Sequence, residues 1–348
     1  MPLSLSLLEF GKRLVFMWLI TTSAMVAAAE STIQYTNQYT NQYTIENTFN
    51  KLVKNYPFIE MGRLDIPEGV SGSKEITYKI VAGERLALDV YWPSQAQAEQ
   101  LPAILLVHGG GWWQGYRENM TPLAIKLAER GVVAVTVSYR LAGTAKYPAA
   151  IHDVRDALDW LFDNAADYKV DRSRIALGGA SAGGQIAALT ALTFGDKILD
   201  SHPTQDGRMQ GVYAIVNVDG LSDFTTPLAL KHENDPAKKP SSAERWFGGR
   251  YEEKTALWQQ GSPINYVAEH SPPILFLNSS RERFSAGQQD YINKYVAMGG
   301  CASSYKFEDS PHSYWLFEPW LTPTANIIAA FLTGTENKLE QQLAVHCH

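Results

Sequence analysis

Residues 174–192 constrain the fold more than any other stretch. Arg174-Ile175-Ala176-Leu177 reads as a short buried strand, Gly178-Gly179-Ala180-Ser181-Ala182-Gly183-Gly184 as a turn of very small residues, and Gln185 to Leu192 as an Ala/Leu-rich helix. Gly179-x-Ser181-x-Gly183 has the spacing of a strand-to-helix elbow that strains a serine and exposes its hydroxyl. Side chains at the flanking positions would collide with the crossing strand and helix. Glycine and serine are common enough that the motif alone is weak, and its weight depends on what the other segments place beside it.

Those segments alternate strand and helix. Residues 76–81 and 86–92 alternate in polarity around Ala82-Gly83-Glu84-Arg85, which predicts an antiparallel hairpin at the leading edge of a sheet. Strands are then expected over 103–107, 132–137, 211–218 and 273–277, with helices over 122–130 and 152–164. Continuous apolar strands separated by helices predict an α/β fold, a mostly parallel sheet covered on both faces. In such sheets the reactive groups gather beyond the carboxyl ends of the strands. Three loops meet that rule: His108-Gly109-Gly110-Gly111-Trp112 after the first parallel strand, Ser181 after the elbow strand, and Asp309-Ser310-Pro311-His312 after the last strand.

Successive glycines let backbone N–H groups face an incoming oxygen, so the N–H groups of Gly110, Gly111 and Ala182 are the expected oxyanion hole. No Gly-x-x-x-x-Gly-Lys-Ser/Thr and no helix-opening Gly-x-Gly-x-x-Gly is present, which leaves nucleotide binding without support. A nucleophilic serine needs a neighbouring base that titrates near neutrality. Of 8 histidines, His312 follows both the serine and the last strand and is the candidate, whereas His108 is expected to brace the glycine turn.

His108-Gly109-Gly110-Gly111-Trp112, Ser138-Tyr139-Arg140-Leu141, Tyr147-Pro148-Ala149-Ala150 with Asp153, and Gly179-Ala180-Ser181-Ala182-Gly183 together resemble the α/β-hydrolase esterases of the hormone-sensitive-lipase-like branch. They are especially similar to exported bacterial acetyl and feruloyl esterases of plant cell-wall breakdown. The resemblance covers roughly 56–332 and implies an α/β-hydrolase fold, with Ser181 as nucleophile, His312 as base and the glycine loop as oxyanion hole. Glu244-Arg245-Trp246-Phe247-Gly248-Gly249 with Ser262-Pro263 resembles a segment of polysaccharide-active members. The family's acid normally follows the penultimate strand in a Gly-x-x-Asp-Pro-like turn, and this chain departs from that with Asn278-Ser279-Ser280-Arg281-Glu282-Arg283-Phe284. Register from Leu277 puts Glu282 in the acid's place, although the adjacent arginines could claim it as an ion pair. Asp290, at the start of the next helix, and Asp219, after the preceding strand, are the alternatives.

Function is expected to be hydrolysis of acyl esters, acetyl above all, on plant cell-wall polysaccharide or oligosaccharide through an acyl-serine, with no cofactor and no metal. Trp112, Trp113, Tyr314 and Trp315 crowd the predicted mouth and are candidates for stacking on sugar rings. A general carboxylesterase for short-chain esters and a non-catalytic binding module of the same fold are the alternatives. A formal charge of −6 without a Lys/Arg run gives no footprint for nucleic acid.

Residues 1–29 are expected to be a secretory signal, with Lys12 and Arg13, a short apolar run and Ala27-Ala28-Ala29 before Glu30. Its removal would take the charge from −6 to −7 and leave the protein periplasmic or extracellular, with no stable membrane insertion. Residues 30–50, with their Asn-Gln-Tyr-Thr repeat, are expected to be a polar spacer, 51–335 the catalytic domain and 336–348 a tail. Cys301 and Cys347 are the only cysteines and could bridge in an oxidising compartment, tethering the tail.

Overall fold

A computed structural model describes residues 43–95, 100–202, 211–334 and 343–347. The expected signal sequence and residues 30–42 of the expected spacer lie outside them. In chain order the described elements are α1 (Ile45–Leu52), β1 (Glu60–Met61), β2 (Val70–Val81), β3 (Glu84–Pro93), β4 (Leu101–Val107), α2 (Thr121–Ala128), β5 (Val133–Val137), α3 (Ala149–Asp163), β6 (Val170–Ala180), α4 (Ala182–Leu192) and β7 (Ile215–Val218). There follow α5 (Pro227–Glu233), α6 (Ser242–Phe247), α7 (Tyr251–Gln260), β8 (Ile274–Asn278), α8 (Gln288–Ala297), β9 (Ala302–Lys306), β10 (Phe317–Glu318), α9 (Leu321–Thr333) and β11 (Ala344–His346).

The main sheet of the described residues has the order β11-β9-β8-β7-β6-β4-β5-β3-β2. From β5 to β9 the neighbours run parallel, while the β2–β3 hairpin enters antiparallel as the sequence predicts. This is the α/β-hydrolase fold. Strand alternation sorts the core into two layers. On β4, Leu101, Ala103, Leu105 and Val107 face one layer together with α3 and α4, while Ile104 and Leu106 face the other with α2 and α9. Burial on both faces is what a parallel sheet between helices requires, and it explains the unbroken apolar runs.

Two boundaries differ from expectation. Residues 45–50 are not spacer: Thr44 accepts the Asn47 N–H as an N-cap, and α1 buries Ile45 against the layer of α2 and α9, the lower layer. Asn119 Nδ2 also donates to the Tyr43 carbonyl at 2.8 Å, so the folded body begins before residue 51. The tail is not free either. β11 pairs antiparallel with β9, Val345 opposite Ser303, and Cys347 is bonded to Cys301. Three residues with one alternating apolar side chain carry too weak a period to be read as a strand.

The Tyr139-Arg140 and Tyr147-to-Asp153 motifs meet around one buried carboxylate. Asp153 is fully buried and receives Lys79 Nζ at 2.7 Å, Arg140 Nε at 2.7 Å and the Arg140 backbone N–H at 3.0 Å. The cluster ties β2, the loop after β5 and α3 together. Asp153→Ala would leave two cations without their shared anion. Because both cations keep partial solvent access, the loss expected in urea unfolding is about 3 kcal/mol, at the lower end for a broken buried pair.

Candidate active site

Ser181 ends β6 and opens α4 with φ 55° and ψ −122°, a conformation that a residue with a Cβ adopts only when its surroundings enforce it. The enforcement is visible. Its N–H donates to the Val218 carbonyl at 2.7 Å, and the two motif glycines sit where no side chain fits. A Cβ on Gly179 would lie 2.4 Å from the Gly183 carbonyl oxygen, and one on Gly183 would lie 2.1 Å from that of Val107. The helix is thereby pressed against the end of β4, and the serine is left at the apex.

His312 approaches from the loop after β9. Its Nε2 lies 2.9 Å from Ser181 Oγ, and its Nδ1 lies 2.8 Å from Asp219 Oδ2. Asp219 is 1% exposed and follows β7 directly, with φ 53°. Its N–H donates to the Leu277 carbonyl at 2.8 Å, and its second oxygen, Oδ1, accepts the Ser279 N–H at 2.8 Å. One carboxylate oxygen is thus fixed by backbone and the other is aimed at the imidazole. The ring is held from the side by Phe284, stacked at 3.3 Å between centroids and within 5° of parallel, and by the edge of Trp315 at 5.1 Å.

The partner of His312 is therefore Asp219, and the expectation of Glu282 is corrected. Glu282 opens a short 3-10 turn and is exposed, and Asp290 is exposed on the first turn of α8. The register argument failed because the chain after β8 does not run straight on. Asn278 is tied to Gln288 by a 2.8 Å side-chain bond, and the turn carries Phe284 rather than Glu282 to the histidine. Nor do the arginines pair with Glu282 as a surface ion pair: Arg283 reaches the buried Glu233 at 2.9 Å. The strand beside the elbow strand ends in Val218-Asp219-Gly220. The same strand-end rule that selects the other loops applies there, and it was the available signal.

Gly111, Ala182, Trp112, Leu221, Ser242 and Phe284 surround Ser181 in a cavity of about 50 Å³. Ala182 is the first residue of α4, where helix N–H groups lack intrahelical acceptors. Gly110 does not line this cavity. Its carbonyl accepts the Gln114 N–H at 3.2 Å, and a Cβ there would meet the Gln114 carbonyl oxygen at 1.9 Å, so it shapes the turn. His108 braces the turn from beneath as expected. Its Nδ1 donates to the Gly109 carbonyl at 2.7 Å, its ring stacks on Tyr139 at 4.4 Å, and burial pushes its pKa down to about 4, keeping it neutral.

The aromatic rim is largely core. Tyr314 and Trp315 are 0% and 1% exposed and pack in the lower layer, which corrects their assignment as sugar-stacking residues. Trp315 instead supports the partly buried His312, and Tyr314 packs behind Trp315. Trp112 is mostly buried, stacked on Trp246 at 5.3 Å, with its Nε1 donating to Gln185 Oε1 at 2.8 Å. Trp113 is half-buried beneath the Arg245 guanidinium at 4.8 Å. Trp246 and Phe247, from the segment that resembles polysaccharide-active members, are buried in the aromatic cluster behind Trp112.

The BD-FAE family profile matches residues 88–290, more than half of the chain and all of the stretch from the glycine loop through Asp219. The chain belongs to the BD-FAE family. This BD-FAE protein is 26% identical over 274 residues to Esterase LipQ of Mycobacterium tuberculosis, a match covering 76% of this chain and 59% of LipQ. The chain thus spans about three-fifths of the length of that curated relative. Among solved structures it resembles EstE1, a thermophilic carboxylesterase from a metagenomic library, with 25% identity, a TM-score of 0.61, and coverage of 85% of this chain and 99% of the other. A truncated carbohydrate esterase from gut microbiota shares the fold at 22% identity and a TM-score of 0.63, covering 79% and 99% of the respective chains.

Burial lowers the His312 pKa below its ordinary 6.5, Asp219 opposes that by stabilising the imidazolium, and the nearby Arg283 charge lowers it further. The signs separate the neighbours. Arg283→Gln removes a repelling cation and is expected to move the His312 midpoint, followed by NMR titration, to higher pH. Asp219→Asn removes the stabilising anion and is expected to move it lower. Equal shifts in both variants would contradict the placement.

Proposed function

We propose that the protein is a serine carboxylesterase acting on short acyl esters, acetyl foremost. The observation that carries this reading is the continuous chain from Ser181 Oγ through His312 to the buried Asp219. Ser181 Oγ attacks the ester carbonyl as its proton passes to His312 Nε2. Asp219 holds the imidazole in the tautomer with Nδ1 protonated and stabilises the imidazolium that forms. The N–H groups of Gly111 and Ala182 face the tetrahedral oxyanion from the cavity wall. Collapse breaks the ester C–O bond, His312 returns its proton to the departing alcohol, and water then repeats the sequence on the acyl-serine. His312 is neutral, and so competent as a base, down to a pH below 6.5.

The acyl preference rests on size. A cavity of about 50 Å³ holds little more than one water's share of liquid, roughly 30 Å³, which suits an acetyl methyl and opposes a long chain. We take the alcohol portion to be a saccharide hydroxyl of plant cell-wall polysaccharide or oligosaccharide. The resemblance of the segment around Trp246 to polysaccharide-active members, the half-buried Trp113 beside Gly111 and the expectation of export support this choice. The bond between Cys301 and Cys347 agrees with an oxidising, extracytoplasmic location. The burial of Tyr314 and Trp315 takes away part of the aromatic argument, so a general short-chain carboxylesterase is the second reading.

Acetate release is expected from acetylated xylan or xylo-oligosaccharide, and Ser181→Ala should abolish it. With p-nitrophenyl esters, kcat/KM should fall at least tenfold from acetate to octanoate. Hydrolysis confined to the small synthetic esters would establish the second reading, and unchanged turnover in Ser181→Ala would overturn the mechanism.

A further inference from the structure

The 3-10 turn Glu282–Ser285 separates two cavities. Its middle residues, Arg283 and Phe284, face the one at Ser181, with Phe284 on the histidine. Its outer residues, Glu282 and Ser285, face a second and larger cleft of about 400 Å³ at the carboxyl ends of β8 and β9. That volume lies in the roughly 300–1,000 Å³ range of small-molecule sites. Gln288, Ser304, Tyr305 and Lys306 share the lining with the two turn residues, and Ala344 of β11 forms a wall. Nothing in the esterase chemistry above uses this cleft.

Its chemistry is specific in kind. Except for Ala344, the residues just named carry polar groups: two serine hydroxyls and one amide that donate and accept, one carboxylate and one ammonium, while the Tyr305 ring packs away against Phe307 at 4.8 Å. The formal charges on its rim, Glu282 and Lys306, are opposite, so the cleft favours neither an anion nor a cation. Among small ligands, a neutral ring rich in hydroxyls matches such a lining, because each hydroxyl both donates and accepts.

We propose that this cleft binds a neutral sugar unit of a polysaccharide, beside the unit whose ester is cleaved. The choice of saccharide rests on the polysaccharide-ester reading above. The same arrangement gives purpose to three features that the ester chemistry leaves idle. Glu282, which does not reach the histidine, is a rim residue of the cleft. β11 supplies its outer wall. The Cys301–Cys347 bond fixes that wall to the start of β9. Ser279 links the two cavities directly, since it lines the cleft while its N–H holds Asp219.

The test uses the full chain carrying Ser181→Ala and unacetylated xylotetraose, so that binding is read without turnover. Amide chemical shifts of Ser285, Gln288 and Lys306 are expected to move on titration. Ala344→Arg, at an exposed position, should fill the cleft and weaken binding at least tenfold, while leaving p-nitrophenyl acetate hydrolysis by the otherwise unmodified enzyme unchanged. The double replacement Cys301→Ser with Cys347→Ser should weaken binding by a smaller factor. Absence of binding, binding unaffected by Ala344→Arg, or shifts confined to the Ser181 cavity would each overturn the proposal. Failure of the esterase reading would show instead as inactivity towards p-nitrophenyl acetate, a separate readout.

Discussion

The close approach of Gly183 to the Val107 and His108 carbonyls sets the geometry on which everything else depends. A Cβ at that glycine would meet those two oxygens at 2.1 and 2.6 Å, so the elbow can cross the end of β4 only without a side chain there. The crossing forces Ser181 to positive φ and lifts its hydroxyl above the sheet. It also brings α4's first N–H beside the glycine loop after β4. The exposed serine hydroxyl and the free N–H at the helix start are thus products of one packing constraint, which the buried layers on both faces of the sheet hold in place.

Charge is arranged as economically. Asp219 lies at the end of the strand next to the elbow strand, out of water, with one backbone donor on one oxygen and the imidazole on the other. Burial disfavours the imidazolium and the aspartate favours it, and the balance leaves the ring neutral at rest but able to accept a proton. Phe284 and Trp315 restrict the ring sterically and add no competing hydrogen bond at its two nitrogens.

Much of this was legible in the chain itself. Apolar strands alternating with helices gave the layered sheet, because period and run length report burial directly. Ser181 and His312 were selected by strand-end position, and the fold brings the two side chains into contact. The acid was harder. Family register pointed one strand too far, to Glu282, and only the folded turn shows that Phe284 occupies the place beside the histidine. Tyr314 and Trp315 were misread for a related reason: an aromatic run after a site residue looks the same whether it lines a mouth or packs beneath it. β11 depends on pairing with β9 and on a covalent bond across 46 residues, which local sequence cannot display.

The central claim is that Ser181, His312 and Asp219 act as one unit, and the most direct measurement is the rate at which a phosphonate ester inactivator labels the protein, read by intact mass and peptide mapping. The account predicts a single adduct on Ser181, formed at nearly the same rate in Glu282→Gln and slowed by about 10⁴ in Asp219→Asn, the scale for loss of the orienting aspartate in such triads. Labelling that is slowed by Glu282→Gln and indifferent to Asp219→Asn, or an adduct on a residue other than Ser181, would contradict it.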